Sequence, residues 1–183
     1  MPTGRIRVYI ACSLDGYIAG PDHDLSWLPD PNTLDLGGQS AITYQDFMAE
    51  VGALLMGRTT YDVVQGLGIP WPYGATPVLV ATHRPLTSAP ETARALEGGI
   101  DALLDEALRV ADGGDVYLDG GALIRQALDA GRVDELIVTQ IPALLGAGSP
   151  LYPGGAGKLA FDPVATHRYG PTVQWVLRPR PAA

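Results

Sequence analysis

Residues 115–128 constrain the fold of this chain more than any other stretch, because a strand pattern there changes directly into a helix pattern. The apolar run 116–118 is typical of a β-strand, and apolar residues recur at helical spacing over 122–128. Gly120 and Gly121 lie between the two patterns, where the absence of a Cβ allows a positive φ and the close approach of a ligand. The first N–H groups of a helix attract anions such as phosphate. The glycine pair is therefore either a tight turn or part of an anion-binding site.

Strand and helix patterns alternate along the rest of the chain. Strands are predicted at 5–13, 53–56, 77–81 and 134–141, and helices at 40–51, after Gly57 and at 100–110. The last two strands, 161–169 and 172–177, are separated by Gly170-Pro171, which indicates an antiparallel hairpin. The order predicts one α/β domain over residues 1–183, with a central, mixed but mostly parallel sheet flanked by helices and an antiparallel C-terminal hairpin.

Three junctions directly follow strands, at 57–60, 82–84 and 120–124; the first two carry hydroxyls and basic side chains, and the third is the glycine pair with the start of its helix. The carboxyl ends of parallel strands form the edge of an open sheet at which ligands bind. Thr59 and Thr60 either cap the helix that begins there or contact a phosphate beside Arg58. Together the three junctions indicate an extended anionic ligand with more than one phosphate.

Composition excludes several other classes of protein. A formal net charge of −8 argues against general nucleic-acid binding, which needs a basic surface. The three histidines have no zinc-ligand spacing, so no metal site is expected. Cys12 lies in an apolar run, where a buried, inert thiol is favoured over a nucleophile. With no signal sequence or 18-residue apolar span apparent, we expect a cytoplasmic protein without a membrane partner.

The ordered motifs L-L-M-G-R-T-T-Y, V-L-V-A-T-H-R-P, V-Y-L-D-G-G-A-L-I and V-D-E-L-I-V-T-Q-I-P resemble those of the dihydrofolate-reductase-like superfamily. The chain is most similar to the group that resembles the reductase domain of the bifunctional riboflavin-biosynthesis deaminase/reductase. The N-terminal A-C-S-L-D-G-Y-I-A-G also resembles that group, so the similarity covers residues 6–177.

This resemblance implies an NADPH-dependent reductase, a homodimer, and a glycine pair joined by a cis peptide. The pyrophosphate would lie on Gly120, Gly121 and the following amides, and the adenosine 2′-phosphate near Thr82. The cofactor-binding residues that the resemblance implies are Ala11, Ile18, Gly57, Arg58, Thr59, Thr60, Thr82, His83, Arg84, Gly120, Gly121, Ala122, Leu123 and Ile124.

The chain departs from dihydrofolate reductases, which carry an acidic residue on the first helix. The corresponding region here is near Ser40, Ala41 and Ile42, none of which is acidic. Asp15 is the candidate polar group at the pocket mouth, although an Asp-Gly pair is also a common turn. The candidate substrate pocket contains Tyr17, Trp27, Phe47 and Trp71, with Trp27 either anchoring its loop or facing the substrate.

The expected substrate is a small heterocyclic, carbonyl or imine compound other than dihydrofolate. Residues 21–47 contain no Lys or Arg, which favours an unphosphorylated substrate. Two alternatives remain open on the same scaffold: a non-catalytic nucleotide-binding protein, and an oxidoreductase that uses a flavin.

Overall fold

The computed structural model describes residues 4–29, 41–155 and 157–180, which contain ten strands and four α-helices. The strands are β1 (Ile6–Ser13), β2 (Tyr17–Ala19), β3 (Val51–Gly57), β4 (Val78–Ala81), β5 (Ala93–Leu96), β6 (Asp115–Asp119), β7 (Glu135–Ile141), β8 (Ser149–Pro150), β9 (Phe161–Tyr169) and β10 (Thr172–Pro179). The helices are α1 (Tyr44–Ala49), α2 (Arg58–Gly66), α3 (Ile100–Val110) and α4 (Gly121–Asp129), and a 3₁₀ turn spans Pro21–His23.

Eight of the strands form one sheet in the order β5-β4-β3-β6-β1-β7-β10-β9. The pairs from β5 to β7 are all parallel, whereas β10 pairs antiparallel with both β7 and β9. This arrangement confirms the predicted α/β fold with its antiparallel C-terminal hairpin. Strands β2 and β8 form a separate two-stranded antiparallel ribbon.

The sheet separates two apolar cores, as the alternation of side chains along its strands requires. In β3, Ala53 and Leu55 belong to the core beneath α3 and α4, while Leu54 and Met56 belong to the core on the face of α1 and α2. All four side chains are fully buried. Full burial of a leucine contributes roughly 1.5–3 kcal/mol to stability, so these two cores hold the helices on the sheet.

A buried network of ion pairs lies at the amino-terminal edge of the parallel strands. The side chain of Arg7, only 4% exposed, pairs with Glu135 at 2.7 Å and with Asp115 at 3.1 Å, and it also contacts Glu50. Its guanidinium lies 4.9 Å from the centre of the Phe47 ring. Burial opposes ionisation of Asp115, but its hydrogen bonds from Arg5 and the two nearby guanidinium groups lower its pKa.

One sequence prediction needs correction, and one strand of the sheet was not predicted. The predicted helix at 40–51 is shorter, since α1 spans only Tyr44–Ala49, and the beginning of the predicted range lies outside the described residues. The Thr43 hydroxyl accepts a hydrogen bond from Asp46 N–H and caps α1, and Val51 already belongs to β3. Strand β5 was not predicted, because its alternation of alanine, arginine and leucine is the weak pattern of an exposed edge strand.

Arg7→Met should lower the free energy of unfolding by about 3–5 kcal/mol, because Glu135 and Asp115 would keep buried charges without a buried cation. Urea denaturation at pH 7 measures the change. Arg109→Met is the control, since the side chain of Arg109 is 70% exposed and pairs with Glu106 at the surface. The network is not structurally important if the two variants lose the same stability.

Candidate functional site

A cavity of about 880 Å³ opens at the carboxyl ends of the parallel strands. The register of the sheet brings the end of each strand beside the next, with Met56 opposite Asp119 and Gly57 opposite Ala81. The residues that immediately follow these strands therefore meet at one edge, as in other open α/β sheets. The far wall of the cavity comes from Ile18, Leu25 and the ribbon strand β8.

The glycine pair forms the floor of this cavity and begins α4. Gly120 has φ of 92° and is the N-cap residue, and a Cβ added to it would lie 2.5 Å from Thr60 Oγ1. The turn therefore requires glycine both for its conformation and for its packing. The Gly120–Gly121 peptide is trans, so the expected cis peptide is wrong: the positive φ of Gly120 makes the turn instead.

The second strand end, at the start of α2, presents a glycine, an arginine and two hydroxyls to the cavity. Gly57 is the N-cap residue, and no side chain caps this helix, so Thr59 and Thr60 line the cavity without the capping role considered above. Arg58 Nε donates to Asp62 Oδ1 at 2.7 Å, and its Nη1 donates to the Pro85 carbonyl at 3.2 Å. These two bonds hold the guanidinium against the cavity wall.

The third strand end, after β4, is more exposed. Thr82 and His83 line the cavity, and His83 Nδ1 lies 3.1 Å from a carboxylate oxygen of Glu97, which follows β5. Arg84 lies outside the cavity, with its side chain 70% exposed and 3.9 Å from Asp62. The cavity wall here consists of a hydroxyl and a histidine–glutamate pair, and Arg84 is not part of it.

The structure brings most of the predicted cofactor residues together on the wall of the cavity. Those that line it are Ala11, Ile18, Gly57, Arg58, Thr59, Thr60, Thr82, His83, Gly120, Gly121, Ala122 and Leu123. The predicted site residues that it leaves outside are Asp15, Tyr17, Trp27, Phe47, Trp71, Arg84 and Ile124.

Asp15 supports a loop instead of facing the cavity. Its carboxylate accepts hydrogen bonds from the Ser13 hydroxyl at 2.6 Å and from the N–H groups of Leu145 and Gly146. The bond from Ser13, followed by that from Gly146, lowers the pKa of Asp15 to about 2. Asp15 therefore lies outside the cavity as a loop support, and the catalytic role suggested for it stays a prediction.

Phe47 and Trp71, predicted to belong to the substrate pocket, pack outside the cavity. Phe47 is fully buried and contacts the rings of Tyr9 and Tyr117, with centroid distances of 5.0 and 5.1 Å. Trp71 packs against Tyr73. Its Nε1 donates to Thr92 Oγ1 at 3.2 Å. Both residues stabilise the core on the α1 and α2 face.

The remaining residues outside the cavity have structural roles. Tyr17 pairs with Pro150 in the two-stranded ribbon, and Trp27 Nε1 donates to the Asp24 carbonyl at 3.2 Å, which makes it a loop anchor. Ile124 is fully buried on the inner face of α4. Cys12 is also buried, and burial raises the pKa of its thiol to about 11, as expected for an inert cysteine.

Asp119 is the functional candidate that the sequence reasoning missed. It is half-buried on the cavity wall, and its Oδ1 accepts a hydrogen bond from Gly120 N–H at 2.7 Å. Burial raises the pKa of Asp119 to about 6, although hydrogen bonds from Gly120 and Tyr117 act in the opposite direction. The available signal was its position: the last residue of a strand, directly before the glycine pair.

These residues fit a dinucleotide. The N–H groups of Gly121 and Ala122, in the first turn of α4, have no acceptor within the helix and can bind a phosphate. A Cβ added to Gly57 would meet no atom within 4 Å, so this position leaves space beside the cavity wall that a ligand can use. The volume lies within the range of ligand sites, about 300–1,000 Å³. Within the described residues, no group of three or more histidine, cysteine or carboxylate side chains is arranged to hold a metal ion.

Gly120→Ala should lower the free energy of unfolding by about 1–3 kcal/mol, because the new Cβ combines a positive φ with a close contact to Thr60. Gly57→Ala is the matched control, since Gly57 has an ordinary φ of −76° and open space around it. The control should stay within about 1 kcal/mol of wild type in chemical denaturation. Equal losses would contradict the proposed geometry of the turn.

Asp119→Asn should raise the free energy of unfolding at pH 7.5 by about 1–3 kcal/mol. The folded pKa of about 6 exceeds the unfolded value of about 3.9, so wild type loses stability as pH rises between these values. The gain should therefore disappear below about pH 4. Thermal unfolding from pH 4 to 8 measures it.

Asp15→Asn should behave in the opposite way. The pKa of Asp15 is lowered on folding, so its carboxylate contributes stability at neutral pH that is lost in acid. The variant should therefore be less stable than wild type at pH 7.5. A similar pH dependence in both variants would refute the assignment of separate environments to these carboxylates.

Comparison with known proteins agrees with this geometry. Residues 5–175 match the RibD C-terminal domain family. "Uncharacterized protein YwjB" of Bacillus subtilis is 31% identical over 168 residues, which cover 91% of this chain and 93% of that protein. The structure of a "Putative riboflavin biosynthesis protein" from Shewanella sp. PV-4 aligns with a TM-score of 0.81 and 30% identity, over 96% of this chain and 99% of that one.

A more distant structure shares the fold. Dihydrofolate reductase from Enterococcus faecalis, complexed with NADP(H) and RAB-propyl, aligns with a TM-score of 0.64 and 17% identity, over 97% of this chain and 98% of that one.

Among the described residues, the helices are all too short or too polar to span a bilayer. The strand-end cavity, the matched motifs and these alignments lead to one conclusion. The chain belongs to the RibD C-terminal domain family, and its fold is that of dihydrofolate reductase.

Proposed function

We propose that this protein is an NADPH-dependent oxidoreductase that reduces a small heterocyclic, carbonyl or imine substrate. The observation that carries the proposal is the convergence of three strand ends on one cavity. The glycine pair, the start of α2 and the end of β4 all line it, although they are far apart in sequence. Such an edge suits an extended ligand with several phosphates.

Different residues along the cavity would bind different parts of the cofactor. The first amides of α4 would hold the pyrophosphate, with Thr59 and Thr60 facing it from α2. Thr82 and His83 would contact the adenosine 2′-phosphate, the group that distinguishes NADPH from NADH. Ala11 and Ile18 would flank the nicotinamide. When bound, NADPH supplies the hydride, and the protein supplies orientation and exclusion of water.

The substrate side of the cavity is largely apolar and aromatic. Tyr9 and Tyr117 line it from neighbouring strands, and Leu25 and Leu28 face it from the segment that follows β2. Of the basic side chains on the cavity wall among the described residues, Arg58, His83 and Arg125 belong to elements assigned here to the nucleotide, and His23 lies in the segment after β2. This distribution supports a planar, unphosphorylated substrate, for which aromatic contacts supply most of the affinity.

The test compares NADPH and NADH binding by calorimetry in wild type, Gly57→Val and Gly99→Val. Both glycines are N-cap residues in extended conformation with no atom within 4 Å of an added Cβ, but only Gly57 lines the cavity. Gly57→Val should weaken NADPH binding at least tenfold, because its side chain would occupy the space beside the phosphates. Gly99→Val should bind as wild type does.

Wild type should bind NADPH more tightly than NADH, and His83→Ala should reduce that preference. NADPH consumption with a panel of heterocyclic and carbonyl compounds then separates an enzyme from a nucleotide-binding protein without turnover. Failure of wild type to bind either nucleotide would overturn the proposed function.

A further inference from the structure

We propose that His23 selects the substrate of this site: its imidazole donates a hydrogen bond to an oxygen atom, of a carboxylate or a carbonyl group, that a planar heterocyclic substrate carries. The inference rests on the proposed function, because it places the substrate and the nicotinamide in the same cavity. His23 determines which substrates bind and takes no part in the transfer of hydride.

His23 lines the cavity at the end assigned to the substrate. It belongs to the segment that follows β2, as do Leu25 and Leu28, and all three residues face the cavity. Tyr9 and Tyr117 line the same end from strands of the sheet. The imidazole is therefore a polar group on a wall that is otherwise apolar and aromatic.

The two tyrosine hydroxyls at this end already have acceptors. The Tyr9 hydroxyl donates to the Ile42 carbonyl at 3.0 Å, and the Tyr117 hydroxyl donates to the Tyr9 carbonyl at 3.1 Å. The His23 imidazole makes no hydrogen bond or ion pair with any residue that the structure describes. Because an imidazole carries at least one N–H group in every protonation state found in proteins, His23 has a donor available to a ligand.

The backbone at His23 adopts an unusual conformation. Within the described residues, positive φ angles of non-glycine residues occur at Asp22, His23, Ser88 and Asp112. Asp22 and His23, with φ of 52° and 63°, are the consecutive pair, and His23 is the member of this set that lines the cavity. Such conformations persist where the surrounding structure enforces them, and they are frequent in ligand-binding segments.

Hydrogen bonds centred on Asp24 enforce this conformation. The Asp24 carbonyl accepts from Gly20 N–H at 2.8 Å and from Trp27 Nε1 at 3.2 Å, and Asp24 N–H donates to the Pro21 carbonyl at 3.0 Å. The Asp24 carboxylate accepts from the N–H and the hydroxyl of Ser26, both at 3.0 Å. These bonds lie on both sides of residue 23, so its side chain is positioned before a substrate arrives, which reduces the entropic cost of binding.

The ribbon of β2 and β8 holds the base of the same segment. Ala19 pairs with Ser149, and a Cβ added to Gly148 would lie 2.1 Å from the Ala19 carbonyl oxygen. The ribbon also contacts the glycine pair, because a Cβ added to Gly121 would lie 3.1 Å from Ile18 Cδ1. One ribbon therefore joins the substrate end of the cavity to the first turn of α4, which is assigned to the nucleotide.

This environment determines the class of substrate that His23 can recognise. One hydrogen-bond donor on an apolar wall favours a ligand with a matching acceptor, and such a site discriminates against analogues that lack it. Residues 21–29 contain no Lys or Arg, so a phosphate group would find no strong cation in this segment. We therefore expect a planar heterocycle that carries a carboxylate or carbonyl oxygen away from the bond that is reduced.

The experiment measures the binding of three probes to the NADP⁺-loaded protein by titration calorimetry. Quinoxaline is a planar heterocycle with two C=N bonds, and quinoxaline-6-carboxylate and quinoxaline-6-carboxamide add an acceptor oxygen on the other ring. Wild type is compared with His23→Gly and with His167→Gln as the control. Glycine adopts a positive φ without strain, and His167 lies on β9, outside the cavity.

Wild type and His167→Gln should bind the two substituted probes about tenfold more tightly than quinoxaline, as expected for one well-placed hydrogen bond. His23→Gly should lose this preference, while its dissociation constant for quinoxaline stays within about twofold of the wild-type value. A preference for both substituted probes identifies a hydrogen bond to oxygen, and a preference for the carboxylate alone identifies recognition of charge. Either result supports the inference.

A second readout separates recognition by the imidazole from a structural role of residue 23. The chain contains three histidines, so the ring ¹⁵N spectrum is simple, and the His23 signals are those missing in His23→Gly. These signals should shift more with quinoxaline-6-carboxylate than with quinoxaline. The His167 signals should respond to neither probe.

Three results would overturn the inference. They are an equal loss of affinity for all three probes in His23→Gly, equal affinity of wild type for all three, and no binding of any probe while NADP⁺ still binds. NADP⁺ binding is measured first, without a probe, on each protein. Its absence in wild type would remove the proposed function as well, so the two failures are distinguishable.

Discussion

Parallel pairing of β3, β4 and β6 determines where the strand-end wall of the cavity lies. It places the carboxyl ends of these strands in register, with Met56 opposite Asp119 and Gly57 opposite Ala81. The apolar pattern of these strands fixes their register, because a shift by one residue would turn every apolar side chain to the opposite face of the sheet. The strand-end wall of the cavity is therefore a consequence of the sheet.

Strand β6 shows how position in the sheet decides the chemistry of a carboxyl group. Asp115 and Asp119 are both on its α1 face, at opposite ends of the strand. Asp115 meets Arg5 and Arg7, which lower its pKa, whereas burial without a charged partner raises the pKa of Asp119 to about 6. The ion-paired edge stabilises the fold, and the opposite edge holds a half-buried carboxyl group whose neutral form is favoured by burial.

Much of this could be predicted from the sequence, since it depends on local pattern. The alternation of strand and helix patterns predicts the mostly parallel sheet. Residues directly after parallel strands then meet at its edge, as Gly57, Thr82 and Gly120 do. The packing of Phe47, by contrast, does not follow from local pattern. Burial of Phe47 depends on Tyr9 and Tyr117, which are distant from it in sequence.

Local sequence pattern was enough to establish the fold class, the family, and which strand ends form the cavity, because each of these follows from residues that are neighbours in the chain. Tertiary packing set which side chains face that cavity and how they ionise. Asp15 and Asp119 both lie beside a glycine, yet one is held ionised by a polar loop and the other is pushed toward its neutral form by burial. A pKa depends on groups brought together only by folding, so no local pattern could have distinguished the two.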